Sequence, residues 1–464
     1  MQQSLLTEIP TLTAGNRPTA SRLLMPDEPV SLVAAARAVR QGKITSEELV
    51  RACLQRIHEE NAQLQAWVLV DEESALEQAR RCDAERRNGC DRGWLHGIPV
   101  GIKDIIDVAG WPTGCGVANL ELPPSGQDAF VVQRLRQAGA VILGKTVTTP
   151  YAAFDPPPTR HPWLPQRTPG GSSSGSAVAV ARRMCLAALA TQTGGSITRP
   201  AAYCGVAGLK PTYGRVSLRG VLPFAPSLDH VGVIAQSVAD LAAVFPAVAG
   251  FDPHDSRSVH LPVPPVETLL RPAATPPRLG LIAGPWDDQV EPAWRDHLAQ
   301  RLACWKSRGA EIREVPPPAG WQEVLRWHRI LMAAEAAAFH EPYLCQHPER
   351  YPPRITALIE EGLRTAATHY VRARQEQERL RREMLRVFKE VDVLVTPAAP
   401  GPPPGSETTG DPCCNAPWSL LGYPTVSFPL ARSATDEPLA VQLVGPPFAE
   451  PLLFAVALWC EALG

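Results

Sequence analysis

The sequence has no surplus of either charge. Its 45 Lys and Arg stand against 47 Asp and Glu, a formal net charge of −2 over 464 residues. A chain so balanced carries no global field that calls for nucleic acid or an anionic membrane. Long hydrophobic runs are missing as well. No stretch reaches the roughly 18 apolar residues that suggest a transmembrane helix. Met1-Gln-Gln-Ser-Leu-Leu-Thr-Glu-Ile-Pro10 has neither the basic start nor the apolar middle of a secretory signal. The eleven cysteines are scattered, and Cys413-Cys414 is the only tight group. Without a CxxC pair or an even framework, neither a zinc site nor a disulfide scaffold is expected. Free thiols in the cytoplasm are the expectation, with no metal and no organic cofactor.

What is present is apolar residue in quantity, 45% of the chain, enough for a large core. Proline is also abundant, at 49 residues against a usual share of roughly 5%. The prolines are dispersed, which reads as ordered turns. Residues 1–28 read as a polar arm. A helix is expected from Ser31 to Gln41. A second should start at Thr45-Ser-Glu-Glu48, whose spacing is that of a capping box, with Leu49, Cys53, Leu54 and Ile57 on one face. Short apolar strands near 66–70, 140–143, 278–283, 393–397 and 441–445 alternate with helical patterns. The fold class is therefore α/β. No linker separates independently patterned halves, so residues 29–464 are expected to form one domain. The longest helix is expected between Ile355 and Lys389. Its interleaved arginines and glutamates read as a solvated face rather than a nucleic-acid surface.

One segment has the spelling of a phosphate-binding loop. Gly139-Ala-Val-Ile-Leu-Gly144-Lys145-Thr146 fits G-x-x-x-x-G-K-[ST]. Its four variable residues are those of a buried strand, and Pro150 interrupts the helix that should follow. Nucleotide binding through Gly139–Thr146 is thus a lesser alternative.

The chemistry concentrates elsewhere. Thr168-Pro-Gly-Gly-Ser-Ser-Ser-Gly-Ser176 and Thr193-Gly-Gly-Ser196 are two glycine-framed serine clusters around an alanine-rich apolar segment. Glycines let the backbone bend there and leave successive N–H groups uncovered, as an oxyanion site requires. Upstream, Gly97-Ile-Pro-Val-Gly-Ile-Lys103-Asp sets a lysine among isoleucines. An apolar pocket lowers a lysine's pKa, so Lys103 is a candidate base.

These three motifs in this order resemble the amidase signature family of serine hydrolases, from about Ser31 to the C-terminus. Gly208-Leu-Lys-Pro-Thr-Tyr-Gly-Arg215, Ser227-Leu-Asp229 and Gly445-Pro-Pro-Phe448 add to the likeness. The resemblance implies a single large domain with a twisted mixed β-sheet flanked by helices on both faces. It implies a Ser–cis-Ser–Lys triad, with Ser196 as nucleophile, Ser172 after a cis peptide as relay, and Lys103 as base. Backbone N–H groups of Thr193, Gly194, Gly195 and Ser196 would hold the oxyanion, and Ser173, Ser174 and Ser176 would brace the site by hydrogen bonds. The expected function is an amidase cleaving a carboxylic amide through an acyl-serine. The expected partner is a small amide, with a homodimer allowed and neither nucleic acid nor membrane expected. An amidotransferase subunit that forms glutaminyl- or asparaginyl-tRNA is the alternative, and a catalytically silent scaffold another. Two family charges are replaced at once, by Gln192 and Thr198, so neutral hydrogen bonds should stand in for an ion pair.

Overall fold

The computed structural model describes residues 31–117, 120, 122–432 and 437–463. The arm expected at 1–28 lies outside them. Ser31 accepts from the amide of Ala34 and opens α1 (Leu32–Arg40). Thr45 and Glu48 form the expected capping box at the start of α2 (Ser46–Leu64). The chain continues through β1 (Trp67–Val70), α3 (Glu72–Arg87), β2 (Pro99–Lys103), α4 (Phe130–Gln137) and β3 (Val141–Thr146). Next come α5 (Ser174–Ala181), β4 (Ala187–Gln192), α6 (Thr198–Cys204), β5 (Ala207–Lys210), β6 (His230–Ala235) and α7 (Val238–Val248). The second half holds β7 (Arg278–Ile282), α8 (Pro292–Ser307), β8 (Glu311–Val315), α9 (Val324–Gln346), α10 (Pro353–Leu363) and α11 (Ala367–Met384). It closes with β9 (Val393–Pro397), α12 (Ala416–Leu421), β10 (Thr425–Arg432), β11 (Pro438–Val444) and α13 (Glu450–Glu461).

Among the described residues, eleven strands join one mixed sheet in the order β1-β3-β2-β4-β6-β5-β10-β11-β9-β7-β8. The run β3-β2-β4 is parallel, the middle from β4 to β9 is antiparallel, and β9-β7-β8 is parallel again. Every residue of β2, β3, β4, β5, β6 and β11 is buried, so helices cover both faces of the sheet there. Among the residues whose burial is described, the exposed strand positions fall in the outer strands β1 and β8. The fold is thus the single large α/β domain that the pattern implied.

Two expectations are corrected. The helix expected over 355–389 is divided at Arg364, where α10 ends, and α11 begins at Ala367. Among the described residues the longest helix is α9, of 23 residues. Both α10 and α11 pack on α9. At Gly362 the approach is so close that a Cβ would lie 2.0 Å from the carbonyl oxygen of Ala333. Packing on a common partner, not local periodicity, decided where the chain breaks. The phosphate-loop spelling is also resolved. Residues 141–146 are the fully buried β3, and Lys145 pairs with Asp104 at 2.9 Å. Gly144 is required by the neighbouring strand, since a Cβ there would meet the Leu69 carbonyl oxygen at 2.0 Å. No cradle exists between Gly139 and Gly144 for a phosphate to occupy.

Candidate active site

The sheet order explains how distant motifs converge. Strands β2 and β4 are parallel neighbours, so their C-terminal ends emerge at the same edge. Lys103 is the last residue of β2, and Thr191 and Gln192 end β4. The crevice at strand C-termini is where α/β sheets build sites. Lys103 is fully buried, with Nζ 2.7 Å from Ser172 Oγ and 2.8 Å from Thr191 Oγ1. Burial holds its pKa well below the ordinary lysine value, and Asp229 offsets this only in part. The peptide bond between Gly171 and Ser172 is cis.

Helix α5 starts at Ser174 and is buried along its whole length, which its sequence Ser-Gly-Ser-Ala-Val-Ala-Val-Ala permits. At Gly175 a Cβ would lie 2.3 Å from the Ala66 carbonyl oxygen. The braces expected of the serines are present: Ser173 Oγ donates to the Thr191 carbonyl at 3.3 Å, Ser176 Oγ to that of Leu189 at 3.0 Å, and Ser174 Oγ meets Thr159 Oγ1 at 3.2 Å.

The Thr193–Ser196 loop follows β4 directly. Its carbonyls are held from outside: that of Thr193 by His328 Nε2 at 2.9 Å, and that of Gly194 by Ser419 Oγ at 2.7 Å. Burial lowers the His328 pKa to about 4, so the ring is neutral and donates this bond. Thr193 Oγ1 donates to Asp229 Oδ1 at 2.5 Å. The Asp229 carboxylate also accepts from the amides of Phe224 and Ala225, while burial raises its pKa. Among the described residues, no protein acceptor engages the N–H groups of Thr193, Gly194, Gly195 and Ser196. Ser196 is half-buried and opens, with Thr193, Gly194 and Gly195, into a cavity of about 230 Å³.

The replacement of the two family charges is directly visible. Gln192 Oε1 accepts from the Ile197 amide at 2.8 Å, the Thr198 amide at 3.0 Å and Thr198 Oγ1 at 3.3 Å. Its Nε2 donates to Ser419 Oγ at 3.2 Å. Neutral hydrogen bonds brace the turn on which Ser196 sits.

Sequence reasoning did not single out Thr191, His328 or Ser419. Their signal lies in three dimensions, because each acts on the loop from a different element. Trp321 packs in an aromatic cluster with Trp286 and Trp418, and Tyr151 stacks on Tyr351, so neither lines the cavity. The wall includes Phe154, Leu325, Met332 and, from the long Pro/Gly-rich loop after β9 and the start of α12, Asp411, Pro412, Cys413 and Ala416. Cys82, Glu85 and His96 offer three atoms within 4.8 Å of one another that could hold a metal ion. None of them lines the cavity beside Ser196.

A family model described as Amidase matches residues 48–454. This chain belongs to the amidase signature family. Members act on carbon–nitrogen bonds, so the chain is an enzyme of that class. A glutamyl-tRNA(Gln) amidotransferase subunit of Geobacter sp. (strain M21) is 37% identical over 456 residues, covering 89% of this chain and 93% of that protein. The native peptide amidase of Stenotrophomonas maltophilia superposes with a TM-score of 0.79 at 31% identity, covering 94% of this chain and 97% of the other. A protein from a vestigial complex bearing on the origins of an s-triazine catabolic enzyme superposes with a TM-score of 0.88 at 29% identity, covering 94% and 98%.

These relatives correct one expectation. Balanced net charge argued against a nucleic-acid partner. Yet the curated relatives are subunits of an amidotransferase whose name carries a tRNA, so the expectation of no nucleic acid is overturned. Net charge reports the average field and is blind to what a partner subunit contributes. Among the described residues no helix is long and apolar enough to cross a membrane.

Proposed function

We propose that this chain hydrolyses a primary carboxamide on Ser196 and serves as the ammonia-releasing subunit of a glutamine-dependent amidotransferase. The observation that carries the chemistry is the 2.7 Å contact between Ser172 Oγ and the buried Lys103 amine. A serine hydroxyl is a weak nucleophile without a proton acceptor. The lone pair of neutral Lys103 takes the Ser172 proton as Ser172 takes that of Ser196. Ser196 Oγ then attacks the amide carbon. The unengaged N–H groups of residues 193–196 receive the oxyanion, each such donor contributing about 2.7–4 kcal/mol to the transition state. The C–N bond breaks as the proton returns through Ser172 to the leaving nitrogen. Water hydrolyses the remaining acyl-ester by the same relay.

The subunit role is supported by the relatives at 33–37% identity, which share one name over about nine-tenths of this chain. A second reading, an amidase acting alone on a small amide, is favoured by Gln192 and Thr198, which depart from the family's charged pair. The test is ammonia release from glutamine and from simple amides, by the chain alone and with co-purified subunits. Turnover of glutamine that rises with added subunits and charged tRNA supports the first reading. Efficient turnover of a simple amide by the isolated chain, unchanged by partners, supports the second. A fluorophosphonate that labels no serine in wild-type protein, or labels Ser196→Ala equally, overturns both.

A further inference from the structure

A second cavity, of about 270 Å³, lies between α8 and the sheet, over β7, β9, β10 and β11. Its floor includes Val395 and Leu430, its roof Leu298 and Leu302 of α8, and the indoles of Trp286 and Trp294 complete the wall. None of these residues lines the cavity beside Ser196. Asp287 and Arg295 are the charged residues of the wall, and both are tied back. Asp287 Oδ2 accepts from the Gly284 amide at 2.9 Å, and Arg295 Nε donates to the Val290 carbonyl oxygen at 3.0 Å. Both residues are exposed, as is Ala299, so these three form the mouth.

Protein interiors are close-packed, with few voids larger than a water molecule. An apolar space of this size leaves its lining short of contacts and offers water almost nothing to bond, so it favours an apolar occupant. Trp294 adds one polar feature. It is 7% exposed, and its indole N–H is buried and has no acceptor among the described residues. Trp321 and Trp418 also lack acceptors, but they pack on each other in the aromatic cluster and are absent from this wall. A donor at such a wall is satisfied by a neutral oxygen or by the face of an aromatic ring. An ionised ligand would lose its hydration with no counter-charge inside to restore it.

We propose that this cavity is a second ligand site, for a small neutral aromatic molecule bearing one hydrogen-bond acceptor. Two indoles supply flat contact area, and Trp294 supplies the donor. The site stands beside the support of the nucleophile loop. Trp286 packs on Trp418 with ring centroids 6.0 Å apart, and the next residue, Ser419, holds the Gly194 carbonyl at 2.7 Å. Ligand binding here is independent of the hydrolytic reading above.

Calorimetry on the full chain compares 2-naphthol with 2-naphthoate, which share a ring system and differ by a charge. The neutral phenol binds one site per chain, about tenfold tighter than the anion or more, the loss expected of an uncompensated charge. Leu298→Trp, which fills the cavity from its roof, weakens 2-naphthol binding by about tenfold or more. A crystal soaked in 6-bromo-2-naphthol shows the bromine, by its anomalous scattering, within the wall that Trp286 and Trp294 share. That position is read on wild-type protein and needs no variant that folds. Absence of saturable binding in solution, equal affinity for the two naphthalenes, affinity untouched in folded Leu298→Trp protein, or bromine beside Ser196 or on the outer surface overturns the inference.

Discussion

An ammonium group moved from water to the buried end of β2 loses hydration that two hydroxyls restore only in part, so Lys103 gives up its proton far below the ordinary value of 10.5. Between its lowered pKa and 10.5 the unfolded chain binds one proton more than the native chain at this site. Stability therefore rises with pH across that window. Lys103→Met removes this contribution, so the difference in urea-unfolding stability between variant and wild type shrinks as pH rises. The same variant loses amide hydrolysis, by a factor of about 10²–10⁴ or more for a lost general base. In wild type, kcat/KM falls in acid as Lys103 is protonated, and full activity held far into acid would contradict its role as base. Thr191→Val deletes the second partner of Nζ while keeping the side chain's shape. It is expected to shift the acid limb of the profile and leave the fold intact, as read by kcat/KM against pH and by circular dichroism.

At the scale of elements, the turn between β4 and α6 depends on Gln192. Gln192→Glu puts a carboxylate at a position 1% exposed, where the side chain's partners are the Ile197 and Thr198 amides and the hydroxyls of Thr198 and Ser419 rather than a cation, a change expected to cost about 3–5 kcal/mol. Burial raises that carboxyl's pKa above the unfolded value of about 4.3, so the native chain holds the proton longer and the cost grows as pH rises past it. Adding Thr198→Arg supplies the counter-charge and recovers part of the loss. A double-mutant cycle in urea that shows strict additivity would refute the pairing. Gly144→Ala tests another junction. Its Cβ would meet the Leu69 carbonyl oxygen at 2.0 Å, prising β1 from β3 at a cost of about 1–3 kcal/mol. Elements with their own punctuation were readable in advance: Ser31, Thr45 and Glu48 mark helix starts by chemistry that acts within four residues. Helix α9 was readable but overlooked, since Val324, Trp327, His328 and Leu331 recur at helical spacing. The division of 355–389 was not readable, because the surface that enforces it belongs to α9.

For the whole molecule, what could be read from sequence tracks how locally each feature is determined. Lys103, Ser172 and the 193–196 loop lie in motifs whose glycines are needed for backbone shape, so they stand out in the chain. His328 and Ser419 have roles that exist only once α9 and α12 are assembled, and nothing beside them in sequence announces it. The partner expectation failed for a similar reason, since average charge is not a local property. If the chain works as one subunit of a complex, affinity purification from a host carrying the partner genes should recover a stoichiometric assembly. Recovery of the chain alone with full turnover of a small amide would favour solitary action.

The cavity beside Ser196 draws on both halves of the chain. Its reacting side is written by residues between 152 and 224, and the facing wall by residues 325–332 and 411–416. Evolution can therefore retune the menu without touching the knife. A chimera that takes its C-terminal half from another member should inherit that donor's tolerance for bulk while cutting by unchanged means.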